Sequence, residues 1–418
     1  MLLALNRLLS EKEYAKLLTI LLSFKGELAV KRFLSIIMAV MLAASVFSAC
    51  GESSNGSRQE SVTEAAAATD TALQSKVNAI FEESFRSHDF KGAGYLVYKG
   101  EEIYSGGTGK ANKKEKTDNS ADVVYHVASV TKQFTAAAVL KLCEEKKMSL
   151  DDTLSKYSPD YKSGADITIH ELLSMQSGIP DFSRRYDKSG NEIQSDAQIS
   201  IDGVAEDNSA QENRDAIKKW LFSQNLLFEQ GERYSYSNAN YFLLGEIIEQ
   251  ASKMTYFDYL QTSFFEPLGM TTAGFDENYD VSGAAVAKGY NDIGLVSELY
   301  GYPGVSFGSG DMMASPKDMY KWSVALHSGK VLGAEMLQKM TEKYVGCGDG
   351  TSYGYGLMIS ESPFGTVYMH SGAFPRFFSY VIYLPQKELF LSIMSNYASE
   401  AIFSVTNDVS TKILREIK

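Results

Sequence analysis

The sequence predicts an α+β protein: an antiparallel sheet flanked by helices on both faces and completed by both ends of the chain, with an inserted, mostly helical region. Three observations carry this. An amphipathic helix and a tight hairpin come first, apolar helices fill the middle, and four β-branched, aromatic stretches followed by a helix come last. The 418 residues are ample for one large core, and 44% hydrophobic against 22% charged content is that of a soluble globular protein. No internal repeat and no strong second linker interrupt the folded part, so one composite domain is expected over 73–418.

At the N-terminus, Lys31-Arg32 precedes an apolar run from Phe33 to Phe47, and Ser48-Ala49-Cys50 follows. A basic flank, a short apolar segment and small residues before a cysteine make a secretory signal over 1–49, short for a full membrane span. The cysteine makes it similar to a bacterial lipoprotein signal, which implies lipidation of Cys50 and an extracytoplasmic, membrane-anchored protein. Phe47 departs from the aliphatic residue usual in that signal. Residues 1–29 lie upstream of the basic flank, and translation is expected to start at Val30, with Lys25-Gly26-Glu27 encodable as a ribosome-binding sequence. From Gly51 to Thr69 there is almost nothing to bury, so 50–72 reads as a flexible linker.

Leu73 to Phe85 carries Val77, Ile80, Phe81 and Phe85 at helical spacing. Gly92 to Tyr98 and Glu101 to Gly107 read as two strands joined by a tight turn at Lys99-Gly100. The stretch from Tyr125 to Leu140 enters a helix that is apolar or small on nearly every face, as in a helix buried all round. Ile167 to Leu173 opens another helix, capped by Thr168. Residues 181–212 are polar, a long insertion of the kind that forms a lid or binding loop. Gly231 to Tyr241 is a turn that leads into an apolar helix, and Gly308-Ser309-Gly310-Asp311 is a turn expected to border the site. The four late strands are Tyr353–Ile359, Thr366–Gly372, Phe377–Leu384 and Leu389–Met394, followed by a helix from about Glu400 to Ile417.

Chemistry enters at Ser129-Val130-Thr131-Lys132. Residues three apart share a helical face, so a hydroxyl and an amine point into one small volume. By itself the tetrad is weak, since Ser129 could simply cap the helix and Lys132 reach out to water. His170 beside Glu171 does not make an acid/base pair, because adjacent helix residues do not face each other. The three cysteines, Cys50, Cys143 and Cys347, form no Cys-x-x-Cys pair, and His170-Glu171-Leu172-Leu173 lacks a second histidine, so no metal and no cofactor is expected. Whether Cys143 reaches Cys347 is open. The net charge is −12, and the first 49 residues are net basic, so the remainder is more acidic still; nucleic acid is not an expected partner.

Taken in order, Ser129-Val130-Thr131-Lys132, Tyr236-Ser237-Asn238 and His370-Ser371-Gly372 resemble the three motifs of the serine β-lactamase and penicillin-binding-protein superfamily. The resemblance is to the branch of class C β-lactamases, D-alanyl-D-alanine carboxypeptidases and related esterases, with Ser177-Gly178-Ile179-Pro180 and Phe265-Glu266-Pro267-Leu268-Gly269-Met270 in agreement. It covers roughly Leu73 to Ile417 and implies a β-lactamase/transpeptidase-like fold. It further implies that Ser129 attacks a carbonyl and forms an acyl-enzyme. Lys132 or Tyr236 is the implied base, an alternative that the sequence leaves open. Asn238 is expected to hold the substrate amide, His370, Ser371 and Gly372 to form an edge strand along which substrate lies, and the N–H groups of Ser129 and Ala373 to make an oxyanion hole.

Two departures bear on substrate. The third motif begins with His370 where β-lactamases generally have lysine, and the second begins with Tyr236, with no matching class A glutamate. The expected activity is hydrolysis of a peptide, amide or ester, D-alanyl peptides foremost. A class C type β-lactamase and a non-turnover penicillin-binding or peptide-sensing lipoprotein are the competing readings.

Overall fold

The computed structural model describes residues 62–187, 189–194, 200–275, 283–291, 296–399 and 401–417, without the side chains of 62–71 and 194. The signal segment, Cys50 and the linker up to residue 61 lie outside them, as does Val281. Among the described residues no helix is long and apolar enough to cross a membrane. The fold below is that of the described residues within 55–347 and 352–418, one compact unit; the turn 348–351 belongs to another.

Helix α1 (Val62–Ser87) begins inside the stretch expected to be a linker. Its first turns hold the run Glu64-Ala65-Ala66-Ala67-Ala68, which has little apolar side chain to offer yet consists of strong helix formers. Val77, Phe81 and Phe85 are buried along one stripe, and Phe81 stacks on Tyr104 with ring centroids 3.8 Å apart. Strands β1 (Gly92–Tyr98) and β2 (Glu101–Thr108) form the expected hairpin, and Lys99 and Gly100 both take positive φ (51° and 81°), the geometry of a tight two-residue hairpin turn.

The remaining strands of the sheet are late in the chain: β3 (Val345–Gly346), β4 (Ser352–Tyr353), β5 (Met358–Ser362), β6 (Gly365–Phe374), β7 (Phe377–Leu384) and β8 (Leu389–Ser395). The eight-stranded order is β3-β4-β5-β6-β7-β8-β1-β2, with every pairing antiparallel. The early hairpin therefore joins the late strands, from Gly92 opposite Ser395 to Tyr98 opposite Leu389. Strand β8 is buried at all seven positions, as a central strand covered on both faces must be.

One face is covered by α1 and by the final helix, here α7 (Ala401–Glu416), through Val77, Phe81, Ile402, Val405, Val409 and Ile413. Against the other lies the larger core, built on α2 (Thr131–Glu144), α5 (Asn238–Ser252) and α6 (Pro316–His327). Every residue of α2 from Thr131 to Leu140 is buried, and Phe134 stacks on Trp322 at 3.8 Å. Between α2 and α5 come α3 (Ile169–Leu173), with a complete capping box between Thr168 and Glu171, and α4 (Ala210–Phe222), capped in the same way by Ser209. No disulfide joins Cys143 and Cys347.

The third motif is not on an edge strand of the sheet. Strand β6 lies between β5 and β7, but its ladder with β5 runs only from Gly365 to Met369, while the ladder with β7 continues to Phe374. The edge is thus local: residues 370–374 outrun a shorter neighbour, and their outer side is left open to another extended chain.

Candidate active site

The turn that carries Ser129 is held from three sides. Tyr125 and His126 pair with Ala314 and Met313, and the Val127 N–H donates to the Met312 carbonyl at 3.0 Å. The chain then reverses through Ala128 at φ +49°, a left-handed conformation that costs an L-residue about 1–2 kcal/mol. It is followed by one 3-10 turn, Ala128–Val130, before α2 begins. The Thr131 hydroxyl donates to the Ala128 carbonyl at 2.6 Å, and the Ser379 hydroxyl on β7 donates to the Val127 carbonyl, also at 2.6 Å. Ser129 itself stays half-buried and caps nothing; Val130 is the N-cap of α2 and makes no side-chain cap.

Lys132, one turn on, is fully buried and does not reach out to water. Its Nζ lies 3.1 Å from Ser129 Oγ, 2.7 Å from Asn238 Oδ1 and 2.7 Å from the carbonyl oxygen of Ser309. Burial pushes the amine well below the usual lysine range, with Arg184 adding to this and Asp181 and Asp311 opposing it. The Gly308–Asp311 turn thus borders the site through a backbone carbonyl, a group with no sequence signature.

Tyr236 and Asn238 come from the segment leading into α5, whose N-cap Ser237 is extended. The Tyr236 ring centroid lies 4.9 Å from Lys132 Nζ and 6.4 Å from the rings of both His370 and Tyr353. Asn238 is placed differently from expectation. Its Oδ1 accepts from Lys132, and its Nδ2 donates to Asp181 Oδ2 at 3.0 Å and to the Tyr300 hydroxyl at 2.8 Å. Both amide hydrogens are therefore committed within the protein.

His370 is buried, with Nδ1 2.6 Å from the Ser371 carbonyl and Nε2 3.2 Å from the Tyr353 hydroxyl. A carbonyl only accepts, so Nδ1 carries the hydrogen and Nε2 takes the tyrosine's proton as a bond. Burial holds the Tyr353 phenol well above its ordinary value, so it remains a donor. Burial and then the Lys132 charge push His370 down to about 3, so the imidazole is neutral near pH 7 and brings no cation to the third motif. Its ring backs Tyr236, and the open part of the motif is its backbone: Ser371 is half-buried, Gly372 buried and Ala373 exposed. Gly372 is required by close approach, since a Cβ there would stand 2.3 Å from the Val127 carbonyl oxygen and 2.9 Å from Ala128 Cβ.

Sequence reasoning missed Asp181, Arg184, Tyr300 and Tyr353, and placed Ser309 only as part of a bordering turn. Asp181 and Arg184 stand at the start of the polar insertion. Arg184 pairs with Glu192, and its guanidinium carbon lies 5.4 Å from the Tyr236 ring centroid. The one available signal was Asp181-Phe182-Ser183, an aspartate two residues before a serine, whose N–H and hydroxyl both donate to Asp181 Oδ1.

The buried histidines give a stability prediction. His370 at about 3 and His327, lowered by burial to about 4, sit below the ordinary histidine value of 6.5. Both stay neutral in the fold and take up protons on unfolding. Their contribution is whole above pH 6.5 and is lost as pH falls from there toward 3 to 4. Tm measured across this range should fall, and less steeply for His370→Gln and His327→Gln; an unchanged slope in both variants would refute the assignment.

The family described as Beta-lactamase matches residues 77–410, well over half of the chain. A putative penicillin-binding protein, PbpX, of Bacillus subtilis (strain 168) is 26% identical over 397 residues, covering 91% of this chain and 93% of that protein. Among solved structures, a penicillin-binding protein from Bacillus halodurans superposes with a TM-score of 0.66 at 24% identity, over 80% of this chain and 98% of that one. The D-amino acid amidase from Ochrobactrum anthropi SV3, complexed with D-phenylalanine, does so with a TM-score of 0.67 at 24% identity, over 83% and 99%. These structures share the fold. With the family match and three motifs gathered around one buried amine, the chain belongs to the Beta-lactamase family and is a serine hydrolase of the β-lactamase and penicillin-binding-protein superfamily.

Proposed function

We propose that the protein is an extracytoplasmic serine hydrolase, anchored by lipid at Cys50, that cleaves a D-alanyl-peptide-like amide or ester through an acyl-enzyme on Ser129, with neutral Lys132 as the general base. The observation that carries the reading is the surroundings of the Lys132 amine. A neutral amine has two N–H bonds and one lone pair. Asn238 Oδ1 and the Ser309 carbonyl can only accept, so they take the two N–H bonds, and the lone pair is left pointing at Ser129 Oγ. The burial that lowers the amine's proton affinity favours this neutral form.

In acylation, the Ser129 hydroxyl proton passes to Lys132 Nζ while Oγ bonds to the carbonyl carbon. The N–H groups of Ser129 and Ala373 face the developing oxyanion. Tyr236 relays the proton to the leaving nitrogen or oxygen as that bond breaks. Water then attacks the ester and gives a proton to the base, which returns it to Ser129 Oγ as the acyl bond breaks and the carboxylic acid leaves. An extended substrate lies along residues 370–374, where β6 outruns β5. A neutral His370 offers no charge to a carboxylate, which favours amides and esters that lack one over β-lactams. The similar proteins, penicillin-binding proteins and an amidase complexed with D-phenylalanine, agree with a D-configured acyl group.

Intact mass after incubation with an activated phosphonate probe tests the mechanism. One adduct is expected on the wild type and none on Ser129→Ala; equal labelling of both excludes Ser129 as nucleophile. A panel of D-Ala-D-Ala peptides, D-amino acid amides, short esters and cephalosporins then sorts the substrate, cephalosporin turnover above that of the peptides and amides being the contrary result. Retention of a Cys50→Ala variant in the membrane fraction would remove the lipid anchor from the proposal.

A further inference from the structure

We propose that Asp181 is a positioning residue for this site: its buried carboxylate fixes the orientation of the Asn238 amide and thereby aims Lys132 at Ser129. The inference rests on the reading of Lys132 as base. Asp181 is wholly buried; four close donors converge on it, and the Tyr300 hydroxyl stands 3.4 Å from its Oδ1. Its Oδ2 accepts the Asn238 backbone N–H at 2.5 Å and Asn238 Nδ2 at 3.0 Å. Its Oδ1 accepts the Ser183 N–H at 2.8 Å and the Ser183 hydroxyl at 2.6 Å.

A carboxylate only accepts, so the NH2 end of Asn238 must face it and the oxygen end must face Lys132. With the amide turned over, the asparagine oxygen would meet the Asp181 carboxylate, two acceptors facing each other in a buried place with no donor between them. The turned amide would also present N–H to Lys132, a second claimant on the lone pair that must take the Ser129 proton. Asp181 touches neither Ser129 nor Lys132 by any hydrogen bond given above, yet it decides which way the base points. Tyr300 supports the same orientation, accepting the second Nδ2 hydrogen at 2.8 Å.

The charge of Asp181 is a second, separable effect on Lys132. The groups that act on Lys132 are Asp181 and Asp311, which raise its proton affinity, and Arg184, which lowers it. The Tyr236 and Tyr241 rings lie at 4.9 and 5.6 Å, and the neutral His370, Ser129, Asn238 and the Ser309 carbonyl complete the surroundings. Removal of the Asp181 charge therefore lowers the Lys132 titration further.

Asp181→Asn is the direct test, because an NH2 group placed on either oxygen of residue 181 would meet a backbone N–H that cannot turn away. Phosphonylation of Ser129 by the probe is expected to slow about 10²-fold, the effect of misaiming a catalytic group by about 1 Å. In an Asn238→Ala background the same substitution should add less than about twofold, since residues acting as a unit are not additive. NMR of 13Cε-labelled lysine, assigned with Lys132→Met, should show the Lys132 titration moved down in Asp181→Asn. Phosphonylation within about threefold of wild type, an unmoved titration, or losses that multiply in the double variant would each overturn the inference. Should Asp181→Asn not fold, neutron diffraction from the wild type reads the amide itself: deuterium between Asn238 and Asp181 is expected, and deuterium carried by Asn238 toward Lys132 overturns the proposal. A wild type that forms no adduct would defeat the hydrolase mechanism, while the titration and the neutron map would still decide the role of Asp181.

Discussion

Lys132→Met should abolish acylation of Ser129 while leaving a folded protein. The side chain is fully buried, and methionine fills nearly the same volume without a charge to desolvate. The substitution leaves Asn238 Oδ1 and the Ser309 carbonyl without their donor, at about 1–3 kcal/mol each, and removes a buried amine whose charged form is disfavoured, so the two changes oppose each other. Tm should therefore shift by only a few degrees. The rate of phosphonylation by the probe should fall about 10³-fold or more, from loss of a general base worth about 10²–10⁴. The wild-type rate should rise with pH through a limb centred below the ordinary lysine value, because the amine must lose its proton and burial helps it do so. In Lys132→Met that limb should vanish. If the variant acylates at near-normal rates with the limb intact, the base is another group, with Tyr236 the next candidate.

Gly372→Val should be nearly as severe, by a steric route. A Cβ at 372 stands 2.3 Å from the Val127 carbonyl oxygen, 2.5 Å from Ser379 Oγ and 2.9 Å from Ala128 Cβ. Ser379 Oγ and the Val127 carbonyl are hydrogen-bonded to each other, so neither yields without breaking a contact that holds the turn before Ser129. Strand β6 cannot retreat either, because Gly372 is paired with Ser379 on β7. Overpacking of this kind costs about 1–3 kcal/mol of stability. A shift of the Ser129 turn by about 1 Å should cost a further factor of about 10² in acylation. Thermal melting and probe labelling together measure both, and a variant that is stable and labels at the wild-type rate would show that β6 need not touch the turn.

Much of the architecture was legible because its signals are local. The hairpin around Lys99-Gly100 announces itself through turn chemistry, the late strands through β-branched and aromatic runs, and the cap at Thr168 through a glutamate three residues on. Where local reading went astray, two signals competed. Val62 to Thr69 has nothing to bury and was expected to be a tether, yet its alanines favour a helix that the buried Val77–Phe85 stripe then extends. Strand β6 has the composition of any strand, and only the length of β5 leaves its last residues open.

The sequence by itself determined the α+β class, the Ser129–Lys132 face and the three motifs, since each depends on residues within a turn or a strand of one another. Tertiary structure decided what those residues do. Lys132 meets Asn238 across 106 residues of chain and Ser309 across 177, and Asn238 meets Asp181 across 57 and Tyr300 across 62. No periodicity records such contacts, because they depend on which donors and acceptors the fold buries together. The same burial makes His370 neutral and places its ring behind Tyr236, leaving the backbone of its strand to face substrate.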